Sequence, residues 1–140
     1  MKEIIECVPN FSEGRNKETI DAIADSIKNT SDCKLLNVEP DYDYNRLVVT
    51  FVGTKEGVLN GAINASLIAA ERIDMSQHKG EHPRIGAIDV VPFIPIKNVK
   101  MEECIEISKK YGEIISNKLN IPIYLYEASA TKPERINLSN

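Results

Sequence analysis

Apolar residues in this chain fall into two kinds of block: short β-branched runs, and longer stretches with apolar positions at helical spacing. "EIIECV" (3–8) is the first run, ended by Pro9 and the loop "NFSEGR". "NKETIDAIADSIKN" follows, with Asn16 placed to cap a helix and Ile20, Ile23, Ala24 and Ile27 on one face. "CKLLNVEP" (33–40) predicts a second strand and "RLVVTFVG" (46–53) a third, whose unbroken apolar run predicts burial on both faces. The polar "DYDYN" between them predicts a turn and antiparallel pairing. Thr54 can cap a second helix, "KEGVLNGAINASLIAAERI", whose small residues allow close packing on a sheet. "GAIDVVPFIPI" (86–96) reads as a fourth strand, with Pro92 and Pro95 arguing for an edge or a frayed end. A third helix is predicted over about 100–119 and a fifth strand in "IPIYLYEA" (121–128), followed by a polar tail.

The order β-α-β-β-α-β-α-β predicts an α/β (α+β) sandwich: a mixed β-sheet with helices packed on it, ferredoxin-like βαββαβ plus an αβ extension. Residues 1–128 form the predicted domain and 129–140 the tail. A length of 140 residues fits one domain. The net charge of −4 gives no global field toward nucleic acid or anionic lipid, and no apolar run is long enough to span a membrane. Any bound anion must therefore be held by a local cluster. Cys7, Cys33 and Cys104 are odd in number and form no CxxC pair, which fits a reducing, cytoplasmic setting without a signal peptide. Each lies on an apolar element and reads as a packing residue.

Both histidines of the chain occur in "HKGEHPRIG" (78–86). "HKGEH" matches the inverted zinc-peptidase pattern H-x-x-E-H, which requires a helix to bring positions four apart onto one face. Gly80 and Pro83 both oppose a helix here, Pro83 by driving His82 toward extended geometry. No metal is expected. A histidine beside Glu81 and Arg84 instead suits acid–base work near neutral pH, with Lys79 and Arg84 supplying positive charge for a carboxylate. On the local residues alone, a surface loop with two solvated histidines is an equal alternative.

"ECVPNFSEGR" (6–15), "HKGEHPRIGAIDVVPFIPI" (78–96) and "IPIYLYEASATKPERINL" (121–138) resemble the N-terminal subdomain of formiminotransferases, in register from about residue 3 to the end. The resemblance implies a transferase that moves the formimidoyl group from N-formimidoyl-L-glutamate to N5 of tetrahydrofolate, in histidine degradation and one-carbon metabolism. Tetrahydrofolate would be a co-substrate, bound with the donor in a groove shared with a C-terminal subdomain, to which 129–140 would begin the linker. The family's catalytic histidine falls on His82. Glu39 stands where the family places an acidic group, often aspartate. The other alternative is a stand-alone, non-catalytic folate-binding or dimerisation module.

The chemistry needs one group that takes a proton from N5 and returns it to the departing glutamate nitrogen, which a single imidazole can do. Substrate-binding candidates are Asn10, in the loop after the first strand; Glu39; Arg46; and Lys79 and Arg84 as anion contacts. Tyr42, Tyr44, Phe51, Phe93, Tyr124 and Tyr126 read as core or strand-pairing residues rather than a pterin platform. Without its partner subdomain the chain is expected to expose apolar surface and to form a homodimer. No nucleic acid or membrane partner is expected.

Overall fold

A computed structural model describes residues 3–73 and 87–120. The predicted strand at 121–128 and the tail lie outside the described residues, as do His78, Lys79, His82 and Arg84. The elements are β1 (Ile4–Cys7), β2 (Asn10–Phe11), α1 (Lys17–Lys28), β3 (Cys33–Asp41), β4 (Arg46–Gly53), α2 (Lys55–Arg72), β5 (Phe93–Lys97) and α3 (Met101–Leu119). This is the α+β class expected, with the βαββαβ order intact.

Every ladder among the described strands is antiparallel. β4 pairs with β3 along one edge, and with both β1 and β2 along the other. β1 and β2 are thus two halves of one central strand, and β5 flanks β1 on its far side. Pro9 does not end the strand, as its sequence predicted. It lacks an N–H, but its carbonyl still accepts from the Val49 N–H at 3.1 Å, so the ladder continues across it.

Helices and turns start where the sequence indicates. The Asn16 side chain accepts from the Thr19 N–H at 3.2 Å, and Thr54 Oγ1 accepts from the Gly57 N–H at 3.1 Å. α1 buries Ile20, Ile23, Ala24 and Ile27. α2 has no single apolar stripe; it is buried through small residues, including Gly57, Gly61, Ala62, Ala65 and Ala69. Gly61 shows why: a Cβ there would stand 2.8 Å from the Phe51 ring. Between α2 and α3 the hydroxyls of Ser66 and Tyr111 meet at 2.6 Å, both fully buried. That bond offsets the desolvation of two hydroxyls, which would otherwise cost about 1–3 kcal/mol each.

The core lies between the helices and one face of the sheet, built from Ile5, Cys7, Phe11, Leu47, Val49, Phe51 and Phe93. The expectation that β4 is buried on both faces is corrected: Leu47, Val49 and Phe51 are buried, whereas Val48, Thr50 and Val52 are half-buried on the other side. Its apolar run reflects β-branched strand preference on an open face rather than a second core. Cys7 and Cys104 are buried and Cys33 is half-buried, its thiol donating to Ile27 O at 3.5 Å and Thr30 O at 3.6 Å. Burial raises all three thiol pKa values, that of Cys104 to about 11. Among the described residues no helix is long and apolar enough to cross a membrane.

Candidate functional site

No described helix packs on the other face of the sheet, and it carries the described site candidates. Residues directly opposed in an antiparallel ladder point to the same side. Asn10 opposes Val48, and Val48 opposes Glu39, so Glu39, Val48 and Asn10 form one row across three strands. One step along, Asp41 opposes Arg46. Asn10, Glu39 and Arg46, named from separate stretches of sequence, therefore share one end of one sheet face. Glu39 lies inside β3, within the strand predicted over 33–40, and Asn10 lies in β2 rather than in a loop.

Local bonds fix these positions. Asn10 Nδ2 donates to Val8 O at 3.1 Å, across the Pro9 step. The 12–15 loop docks on the β3–β4 turn: the Gly14 N–H donates to Asn45 Oδ1 at 2.8 Å, and Arg15 Nε donates to Tyr42 O at 2.8 Å. Asn45 takes a positive φ of 53° to make the turn, a conformation asparagine tolerates better than most residues. Tyr42 and Tyr44 are 68% and 74% exposed, which corrects their reading as core or pairing residues. Each instead lies under an arginine, with Arg15 Cζ 5.0 Å from the Tyr42 ring centre and Arg46 Cζ 5.7 Å from that of Tyr44. Phe51 and Phe93 are core as predicted; Tyr124 and Tyr126 lie outside the described residues. Arg46 thus keeps its charge at the surface, held by a cation–π contact of about 0.5–1 kcal/mol.

The rest of the open face is apolar or mixed. Val52 opposes both Lys34 and Glu6, and Glu6 opposes Ile94. Ile94 and Ile96 are 39% and 54% exposed and Leu36 is 52% exposed. Exposed Leu36, Ile94 and Ile96 interspersed with Lys34 and Glu6 on one half, and Asn10, Glu39 and Arg46 on the other, leave this face with surface to cover.

The sequence after "HKGEHPRIG" joins the same region. The Ser12 N–H donates to Ala87 O at 3.0 Å, Phe11 bridges Ile88, and the Asn10 N–H donates to Val90 O at 2.9 Å. Asp89, which the sequence reading passed over, is exposed beside Asn10. Its signal was present: a single carboxylate interrupting the apolar run "GAIDVVPF". A surface groove of about 530 Å³ lies elsewhere, around α2 and α3. There Lys55 Nζ sits 3.7 Å from Glu3 and 3.8 Å from Glu103, a clasp between elements that contains none of the predicted site residues.

The chain matches the formiminotransferase domain, N-terminal subdomain, over residues 4–140. It is 51% identical over 138 residues to the formimidoyltransferase-cyclodeaminase of Dictyostelium discoideum, covering 99% of this chain and 26% of that protein. With the glutamate formimidoyltransferase of Streptococcus pyogenes serotype M1 it shares 48% identity over 139 residues, 99% of this chain and 46% of the relative. The glutamate formimidoyltransferase of Thermoplasma acidophilum is 43% identical over 136 residues, 97% and 45% of the two chains. The chain thus spans a quarter to a half of the length of these relatives. A match across nearly all of its residues, on a βαββαβ fold whose open face carries Asn10, Glu39 and Arg46, means that the chain belongs to the family of formiminotransferase N-terminal subdomains.

Proposed function

We propose that this chain is the histidine-bearing half of a glutamate formimidoyltransferase, which moves the formimidoyl group of N-formimidoyl-L-glutamate to N5 of tetrahydrofolate. The observation that carries the reading is the gathering of Asn10, Glu39 and Arg46 on one open sheet face, in a chain 48% identical to a glutamate formimidoyltransferase. His82 is five positions before Ala87, which is tied to Ser12 at the edge of that face. Such a segment reaches at most about 18 Å.

In the reaction the lone pair of N5 attacks the amidine carbon, forming the N5–C bond. His82 takes the N5 proton and delivers it to the glutamate nitrogen as the C–N bond to glutamate breaks. Products are N5-formimidoyl-tetrahydrofolate and glutamate, with no net change in protons. An ordinary imidazole titrates near pH 6.5 and suits both steps, worth about 10²–10⁴-fold in rate. Arg46, Lys79 and Arg84 balance the substrate carboxylates, while Asn10 and Glu39 orient the reacting groups. A second subdomain packs over the apolar half of the open face and closes the groove. In its absence the same surface drives a homodimer.

The test is a transfer assay on the chain supplied with a second formiminotransferase subdomain. Activity should need both parts, and His82→Ala should lower kcat by about 10²-fold or more while folate affinity holds. A His82→Ala enzyme with wild-type kcat and pH profile would end the mechanistic reading. Folate binding without turnover, with the second subdomain present, would leave a binding module in its place.

A further inference from the structure

Two arginines lie over two exposed tyrosines at the β3–β4 turn, and their donors are used differently. Arg15 fastens a loop: its Nε donates to Tyr42 O at 2.8 Å and its Nη2 to Asp43 O at 3.3 Å. For Arg46, no described residue accepts a hydrogen bond from the guanidinium, and no described carboxylate forms an ion pair with it. The register makes this unexpected. Asp41 directly opposes Arg46 at the end of the hairpin, where opposed Cβ atoms stand about 5 Å apart and opposite charges attract. The Asp41 side chain is instead turned into the hairpin, its Oδ1 accepting from the Tyr44 N–H at 3.2 Å. Arg46 lies over the Tyr44 ring, Cζ 5.7 Å from its centre. An aromatic face attracts a guanidinium through its charge and takes up none of its five N–H donors. The turn fixes Tyr44 in turn, since the Asn45 N–H closes onto Tyr42 O at 3.3 Å and Asn45 Oδ1 accepts from Gly14.

We propose that Tyr44 is a positioning residue for Arg46: its ring keeps the guanidinium off Asp41 and ready, at the end of the open face, to take a glutamyl carboxylate. The proposal rests on the transferase reading above. Arg46 stands two residues from Val48 on the same side of β4, on the order of 7 Å along the strand from the row that holds Glu39 and Asn10. Both substrates of the reaction carry glutamyl carboxylates, the donor in its glutamate and tetrahydrofolate in its glutamate tail. A guanidinium fork binds such a group through two parallel charge-assisted hydrogen bonds. A long side chain gives up rotamer freedom to do so, and one already held on a ring gives up less. Without the ring, Arg46 has Asp41 within reach, and that carboxylate takes the place of the ligand's. Tyr44 acts through Arg46 alone, so it contributes to substrate binding rather than to turnover.

The experiment uses the chain with its second subdomain and measures kcat and both KM values. Tyr44→Ala should raise KM about two- to fivefold, the range of an exposed cation–π contact, with kcat within about twofold of wild type. A rise for N-formimidoyl-L-glutamate assigns the carboxylate to the donor, and a rise for tetrahydrofolate assigns it to the folate tail. Tyr44→Phe keeps the ring and should behave as wild type. Asp41→Asn still offers an acceptor to the Tyr44 N–H but no charge to Arg46, so adding it to Tyr44→Ala should recover part of the lost affinity. In an Arg46→Ala background, Tyr44→Ala should change nothing further. Unchanged KM for both substrates in Tyr44→Ala, a Tyr44→Phe variant as impaired as Tyr44→Ala, no recovery with Asp41→Asn, or additive losses with Arg46→Ala would each overturn the proposal. Wild-type transfer would keep the transferase reading intact in those cases. Absence of transfer by the wild-type pair would overturn that reading and this proposal with it.

Discussion

Replacing Gly14 with alanine tests whether the 12–15 loop and the β3–β4 hairpin are locked by backbone contact. A Cβ at Gly14 would fall on the Asp41 carbonyl oxygen and stand 2.6 Å from Arg46 O and 2.7 Å from Arg46 N. All three are main-chain atoms and cannot rotate aside. Overpacking of this kind costs about 1–3 kcal/mol when the surroundings hold. If the loop lifts instead, it loses the Gly14–Asn45 bond and the Arg15 bonds to Tyr42 O and Asp43 O. Each is worth about 0.5–1.5 kcal/mol net, so the first route destabilises by about 1–3 kcal/mol and the second by about 1.5–4.5 kcal/mol. For a domain of this size that is a fall of roughly 10 °C in Tm. Asn45→Gly is the control, since it removes the Oδ1 acceptor but relaxes the positive φ, and should cost no more than about 1 kcal/mol. Urea unfolding of the three proteins, with the slope held constant, separates the contributions. A Gly14→Ala midpoint within about 0.5 kcal/mol of wild type would refute the close-contact reasoning.

Two further outcomes follow from the open face and the buried thiols. Ile94→Asp, at a 39% exposed position, should leave the melting temperature nearly unchanged yet weaken association with a second subdomain, and reduce any dimer of the isolated chain, in sedimentation equilibrium. Unchanged association would mean that this face is not the interface. For Cys104, burial raises the folded thiol pKa from 9.0 to about 11, so the unfolded chain loses its proton first. Stability from this group is complete below pH 9 and declines as pH rises toward 11. Urea melts across that window should show the decline, and Cys104→Ala should lessen it.

Local chemistry made much of the fold legible. Asn16 and Thr54 announced two helix starts, and the polar 42–45 turn announced the antiparallel hairpin that places Glu39 and Arg46 on one face. Properties belonging to pairs of strands were harder to see. Pro9 reads as a terminator until its carbonyl is known to face Val49. The one-sided burial of β4 depends on where the helices pack, because β-branched residues suit exposed and buried faces alike. Tyr42 and Tyr44 look like core residues until Arg15 and Arg46 are seen lying over them.

The outer edge of β3 limits how this chain can meet another. Among the described residues β3 pairs only with β4, so its far side is a row of main-chain groups of the kind that recruits further strands. Leu36 breaks the regular ladder, Pro40 has no N–H to offer, and Lys34, Glu39 and Asp41 add charges. The strand is also clamped at both ends. The Asp32 carbonyl packs where Gly53 and Gly57 lack a Cβ, and the Asp41 carbonyl packs against Gly14. A strand held this way can neither slide in register nor peel off to exchange with a neighbour. Continuous-sheet growth and strand swapping through β3 are therefore opposed by the strand's own sequence and by the clamps at its two ends.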